Sequence, residues 1–323
     1  MFDSVMNLSI FGIDNFDYQR SNNFSLLELQ EEFKGYYDGL AKHLFLTASG
    51  MEAVTSCIEY LLPVKGKIVI EKNLYSESAL WLRLVERYEV VKVDMNDFKV
   101  FEKEVSNADL VLLDNPNIFQ QWFNVKKLVK IAHKYNVKVI VDNSIVSFYV
   151  YNPLKDGADI VVESYSKYVS GHGDLMAGAI IFGYDVKNMA RLNAFLGWRG
   201  RVVSPVVGYM LKKRVMTLDL RMRQQEKNAK FIYKKLLKKG EDVRYCGKAA
   251  CMLVMGRNRP DGKVLKMFPM TSTYGTVCSM STPSYRPDLY VENKDYLRLS
   301  VGTEDKELLW KDINTAWYGK GTV

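Results

Sequence analysis

Two residues able to act together stand at the ends of apolar runs. Asp142 closes VKVIVDN, and Lys167 follows DIVVES within SYSKY. A lysine amine can condense with a carbonyl to a Schiff base, and a buried carboxylate can hold a heterocyclic nitrogen protonated. The same pair could also be a structural ion pair or two unrelated surface groups. The surroundings favour chemistry. Ser164 and Ser166 place small hydroxyls beside Lys167, and Gly171-His172-Gly173 follows as a pliable loop. Farther back, Ser49-Gly50-Met51 opens a helical pattern whose free N–H groups suit a phosphate. A phosphate site, an amine and an acid together describe a pocket for pyridoxal phosphate.

The elements that must position these groups alternate regularly. Short β-branched runs at 43–47, 67–71, 89–93, 108–114, 137–143, 159–164 and 175–183 read as strands. Helical patterns at 49–62, 76–88, 97–105 and 125–136 lie between them. This order predicts an α/β fold with a mostly parallel central sheet and helices on both faces. In such sheets, ligands bind at the carboxyl ends of the strands. Two helical stretches, 205–216 and 217–239, then lead to shorter strands such as YLRLSV (296–301). A final helix follows, with Thr303 as N-cap and Gly319 as C-cap. The expected organisation is a short arm (1–20), a large cofactor-binding domain (21–205) and a small α+β domain (206–323).

Composition narrows the function classes. With 323 residues, 48% hydrophobic and 25% charged, the chain can build an ordinary core. Its 45 Lys+Arg against 37 Asp+Glu give a net charge of +8. The basic pairs, such as Lys234-Lys235 and Lys238-Lys239, fall within amphipathic helical patterns and read as solvated faces rather than a nucleic-acid stripe. Four cysteines without a CxxC pair and three scattered histidines predict neither a metal site nor a disulfide framework. No apolar run approaches a membrane span, and the acidic start MFDSVMNLSIFGIDNFD does not read as a secretory signal. A cytoplasmic protein is expected.

Several segments, in order, carry a resemblance. They are YQRSNNFSLLELQ (18–30), TASGMEAV (47–54), NLYSES (73–78), the long block 141–181, SPVVGYMLKKRVMTLDLRM (204–222) and LRLSVGTED (297–305). Together they resemble the cysteine/methionine-metabolism family of fold-type I pyridoxal-phosphate enzymes, which includes methionine γ-lyase and the cystathionine synthases and lyases. The resemblance implies the fold-type I transferase fold and pyridoxal 5′-phosphate as cofactor. It makes Lys167 the Schiff-base lysine and proton shuttle, and Asp142 the partner of the ring nitrogen. Tyr75 becomes the residue that stacks on the cofactor and protonates the leaving group. Gly50, Met51, Ser164 and Ser166 match the phosphate cradle. Tyr18 and Arg20 match a pair that reaches the neighbouring subunit's phosphate, here after a shortened arm, implying a homodimer or homotetramer. Arg298 matches the clamp on the substrate α-carboxylate, a task suited to a guanidinium.

The chain also departs from the family pattern. Ile118 stands where relatives carry an asparagine near the cofactor, unless Asn117 takes that place. Glu77 stands where relatives carry a small residue or a cysteine, and would attract a cationic substrate group. The substrate wall reads Thr273-Tyr274-Gly275-Thr276-Val277-Cys278-Ser279, with Thr273 toward the substrate and Cys278 as a small buried apolar residue. The implied activity is β- or γ-elimination on a sulfur-containing or otherwise γ-substituted L-amino acid. The alternative is γ-replacement through the same residues.

Overall fold

A computed structural model describes residues 24–255, 264–283 and 296–319. Seven strands form the central sheet: β1 (His43–Thr47), β2 (Lys67–Glu71), β3 (Glu89–Val93), β4 (Leu110–Asp114), β5 (Lys138–Asp142), β6 (Ile160–Ser164) and β7 (Gly178–Phe182). Their order is β1-β7-β6-β5-β4-β2-β3. The pairs β2/β3, β2/β4, β4/β5 and β5/β6 are parallel, while β7 runs antiparallel to both β6 and β1. The sheet is therefore mostly parallel, with one reversed strand.

Alternation along each strand sends side chains to opposite faces. Ile68, Ile70, Ile140, Ile160 and Val162 pack under α2 (Gly50–Leu61), α3 (Ser76–Leu84) and α7 (Met189–Trp198). On the other face, Val69, Val111, Val139 and Val141 meet α4 (Phe98–Val105) and α5 (Val125–His133). Val161, Ala179 and Ile181 continue that face into a cluster with α1 (Phe24–Lys34), α8 (Pro205–Val215) and α9 (Leu218–Lys238). A one-turn helix, α6 (Ser147–Val150), follows β5. The same cluster takes in a second sheet, antiparallel in the order β10-β11-β9-β8, from β8 (Asp242–Tyr245), β9 (Cys251–Met255), β10 (Met280–Pro283) and β11 (Tyr296–Ser300). The last helix, α10 (Lys306–Tyr318), packs on α9.

Several boundaries differ from the sequence reading. The helix expected over 76–88 stops at Leu84, and Glu86 takes φ +48° to turn the chain into β3. The helix expected to reach 136 stops at His133, with Asn136 at φ +59°. Helix α7 has no counterpart in the sequence reading. Thr303 is not the cap of the last helix. Asp305 is, because its carboxylate accepts from the N–H of both Glu307 and Leu308. Thr303 instead donates its hydroxyl to the Val277 carbonyl. Gly319 does end the helix, at φ +78°. No helix among the described residues is long and apolar enough to cross a membrane.

Candidate active site

The carboxyl ends of β1, β4, β5 and β6 surround a cavity of about 310 Å3, closed from the far side by residues of the second sheet. At one end, the N-terminus of α2 abuts Ser164. Ser49 caps the helix by accepting from the Glu52 N–H at 3.0 Å. The Gly50 and Met51 N–H groups are then left without an intrahelical acceptor, since both lie in the first turn. Only a glycine fits there, because a Cβ at Gly50 would lie 2.6 Å from the Ser164 Cβ. The Ser164 N–H donates to Ser144 Oγ at 2.7 Å, which fixes the strand end. The Ser166 hydroxyl is less free. It donates to the Ala177 carbonyl and accepts from the Ala177 N–H, at 3.2 and 3.0 Å.

Deeper in the cavity, Asp142 and Asp114 are register partners on β5 and β4. Asp142 accepts from the Ser144 N–H at 2.9 Å. Burial raises its pKa, and the Ser144 hydrogen bonds and Lys167 oppose that rise. Asp114 accepts the Tyr75 N–H at 2.7 Å, so it anchors the start of α3. Burial, with Asp142 and Glu71 nearby, pushes its pKa well above the usual carboxylate range.

Lys167 lies in a turn that Arg221 of α9 holds from behind. The Arg221 guanidinium donates to the Tyr168 and Val169 carbonyls at 2.6 and 3.0 Å. The Lys167 amine donates to Thr273 Oγ1 at 3.0 Å and lies 4.7 Å from the centre of the Tyr274 ring. Burial, reinforced by the Arg298 charge, lowers its pKa to about 8. A substantial neutral fraction at physiological pH makes this amine a competent nucleophile. The Arg298 guanidinium shares the same ring at 4.9 Å and donates to Thr282 Oγ1 at 2.9 Å. Its Nε is buried without a partner among the described residues. Tyr75 also lines the cavity, and burial followed by the Glu77 carboxylate keeps its hydroxyl protonated far above neutrality.

The cavity thus gathers Gly50, Met51, Tyr75, Asp142, Ser164, Ser166, Lys167, Thr273 and Arg298 on one wall system. Glu77 is not part of that wall; it accepts from the Ser76 hydroxyl at 2.8 Å and acts on Tyr75 from outside. Tyr18 and Arg20 lie outside the described residues. Cys278 is exposed rather than buried, since it lies at the surface between Val277 and the buried Ser279, where its carbonyl accepts from Thr276 Oγ1 at 2.6 Å. Ile118 does line the cavity, while Asn117 lies off the wall, its Oδ1 accepting from the Phe119 and Gln121 N–H groups. The sequence reading had no role for Asp114, Gln120 or Cys251, and Tyr274 entered it only as part of the substrate wall; all four line the site. Asp114 could have been found, since it closes ADLVLLD as Asp142 closes VKVIVDN.

A helix N-terminus sealed against Ser164, a buried acid and a partly neutral lysine fit pyridoxal phosphate. They offer partners for its phosphate, ring nitrogen and carbonyl carbon. The Cys/Met metabolism PLP-dependent enzyme family model matches residues 2–252, and the chain belongs to that family. Its cofactor is pyridoxal 5′-phosphate. The chain is 29% identical to L-methionine gamma-lyase of Pseudomonas putida, over 93% of this chain and 84% of that one. It is 28% identical to cystathionine beta-lyase of Schizosaccharomyces pombe, over 93% and 86%. Cystathionine gamma synthase from Xanthomonas oryzae pv. oryzae shares the fold, with a TM-score of 0.86 at 23% identity, over 93% of this chain and 87% of that chain.

Proposed function

We propose that this protein is a lyase that eliminates a β- or γ-substituent from a sulfur-containing or otherwise γ-substituted L-amino acid. The observation that carries the reading is the Lys167 amine, its pKa brought down to about 8, in a cavity shared with Asp142, Tyr75 and Arg298. Relatives named as methionine and cystathionine lyases support it.

When bound, pyridoxal phosphate supplies an electron sink for the pair released at the substrate Cα. The protein's own groups do the rest. Arg298 would bind the α-carboxylate with the donor its buried Nε still has to place. Lys167 would take the Cα proton, a task its lowered pKa suits. Tyr75 would give its proton to the departing sulfur; a hydroxyl that stays protonated acts as an acid. Asp142 would hold a proton at the ring nitrogen by charge and hydrogen bonding. Thr273, which now holds the lysine, would contact substrate once that amine is engaged elsewhere.

Glu77 favours a substrate with a cationic distal group if its field extends past Tyr75. The protein is expected to work in the cytoplasm as a homodimer or homotetramer, with Tyr18 and Arg20 serving the neighbouring site; light scattering would give the subunit count. The decisive test is 2-oxo acid release by the cofactor-loaded protein offered L-methionine, L-cystathionine, L-cysteine or O-acetyl-L-homoserine, with and without a thiol. Release of 2-oxobutanoate or pyruvate without thiol, lost in Lys167→Ala, is expected. Product formed only with thiol would assign γ-replacement instead.

A further inference from the structure

The loop after β4 carries an amide that the chain itself does not use. Gln120 is 7% exposed, lines the cavity and makes no side-chain hydrogen bond among the described residues, with Oε1 buried and unpartnered. A buried amide in that state costs stability, and a half-turn about its last bond exchanges Oε1 and Nε2, so either end can face a ligand in the cavity. Its position is well fixed. The Gln120 N–H donates to the Asn117 carbonyl at 2.9 Å, and the residue takes φ +64°, a conformation rarely adopted without reason. Downstream, the Phe123 N–H donates to Asn115 Oδ1 at 2.8 Å, and Trp122 Nε1 donates to the Cys246 carbonyl at 3.0 Å.

Pyridoxal phosphate has four polar features: phosphate, ring nitrogen, carbonyl and phenolic oxygen. The site has offered partners for the first three and none for the fourth. On the ring, the carbons bearing the phosphate arm and the phenolic oxygen flank the carbon bearing the carbonyl. With the phosphate held at β6 and α2, and the ring nitrogen at Asp142 on β5, the phenolic oxygen would face β4 and its loop, since β4 lies on the other side of β5 from β6. Ile118 offers no polar group there, and Asn117, whose Oδ1 is taken up by its turn and whose Nδ2 is buried, does not line the cavity. Building on the cofactor placement above, we propose that the Gln120 side-chain amide donates to the cofactor's phenolic oxygen.

Such a donor stabilises negative charge on that oxygen. Without it, the proton shared between the oxygen and Lys167 Nζ balances that charge alone and is held more tightly. The test compares wild type, the near-isosteric Gln120→Met and the anionic Gln120→Glu, each loaded with pyridoxal phosphate and kept free of substrate. The readouts are the pH titration of the near-visible cofactor band and cofactor retention in equilibrium dialysis. In Gln120→Met the band should titrate about one pH unit higher and retention should weaken about tenfold. Gln120→Glu should shift the titration further in the same direction. Titration within a few tenths of a unit of wild type in both variants would overturn the proposal. A wild-type protein showing no reducible cofactor band would instead refute the Lys167 placement, so the two failures are distinct.

Discussion

At Arg298 the guanidinium leans on its own chain, donating to Thr282 Oγ1 and, at 3.3 Å, to the Ser272 and Thr273 carbonyls, yet its Nε is left over. A substrate carboxylate would complete that set. Arg298→Ala should therefore act mainly on KM. The loss of a charged, hydrogen-bonded clamp is worth roughly 2–5 kcal/mol, or at least a thirtyfold rise. Arg298→Lys, which keeps charge but not the fork, should fall between. Steady-state kinetics on an accepted amino acid checks both, and an unchanged KM would remove Arg298 from the site. At this scale the sequence was informative where a residue sits at the end of a regular element, as Asp142 and Lys167 do. It was silent about Gln120, which lies in irregular chain where no periodicity says which way a side chain points. It also left Glu77 open, because only coordinates show its carboxylate acting on Tyr75 from outside the wall.

The most demanding element is the start of α2, pressed so closely on Ser164 that there is no room for a methyl group. In an exposed helix, Gly→Ala gains about 1 kcal/mol. Here, with the Ser164 Cβ 2.6 Å away, Gly50→Ala must push the helix end off β6. Cofactor retention should fall at least severalfold, measured by equilibrium dialysis. In the double variant with Ser164→Gly, thermal stability should recover, while cofactor binding recovers only in part because the hydroxyl is gone. A Gly50→Ala protein that binds as well as wild type would mean that this end does not hold the phosphate. The helix and strand positions were legible because two periods, 2 and 3.6, separate cleanly in this sequence. Helix ends were less so. Glu86 takes a left-handed backbone that its residue type does not announce, whereas Asn136 takes one that asparagine favours just past a helix. Asp305 outcompetes Thr303 as a cap because of geometry rather than composition.

Across the whole molecule, stability carries the mark of buried acids. Glu163 accepts from Asn143 Nδ2 at 2.8 Å and the Phe148 N–H at 3.3 Å, and burial raises its pKa from 4.5 to about 8. Glu71 moves the same way, to about 7, also through burial. The folded state therefore binds protons more tightly than the unfolded chain. Their contribution is fully present below about pH 4.5 and is lost as the pH rises toward 8. Glu163→Gln, a neutral near-isostere, should flatten the fall in Tm between pH 5 and 8; an unchanged slope would mean that Glu163 is ionised throughout. The α/β architecture was readable from the order of elements. The joining of two sheets around one cavity was not, since Thr273 and Lys167 are far apart in sequence and are brought together by packing, with Tyr168 against Tyr274 and α9 bonded to both segments through Arg221 and Gln225. That meeting has a mechanical side. The amine lies in the turn after β6 of one sheet, while its hydroxyl acceptor lies in the chain leading into β10 and the neighbouring guanidinium on β11 of the other, so the cavity lies on a seam. Whatever fills it acts as a rivet, raising the cost of parting the two halves by RT ln(1 + [L]/Kd) whether or not a reaction follows.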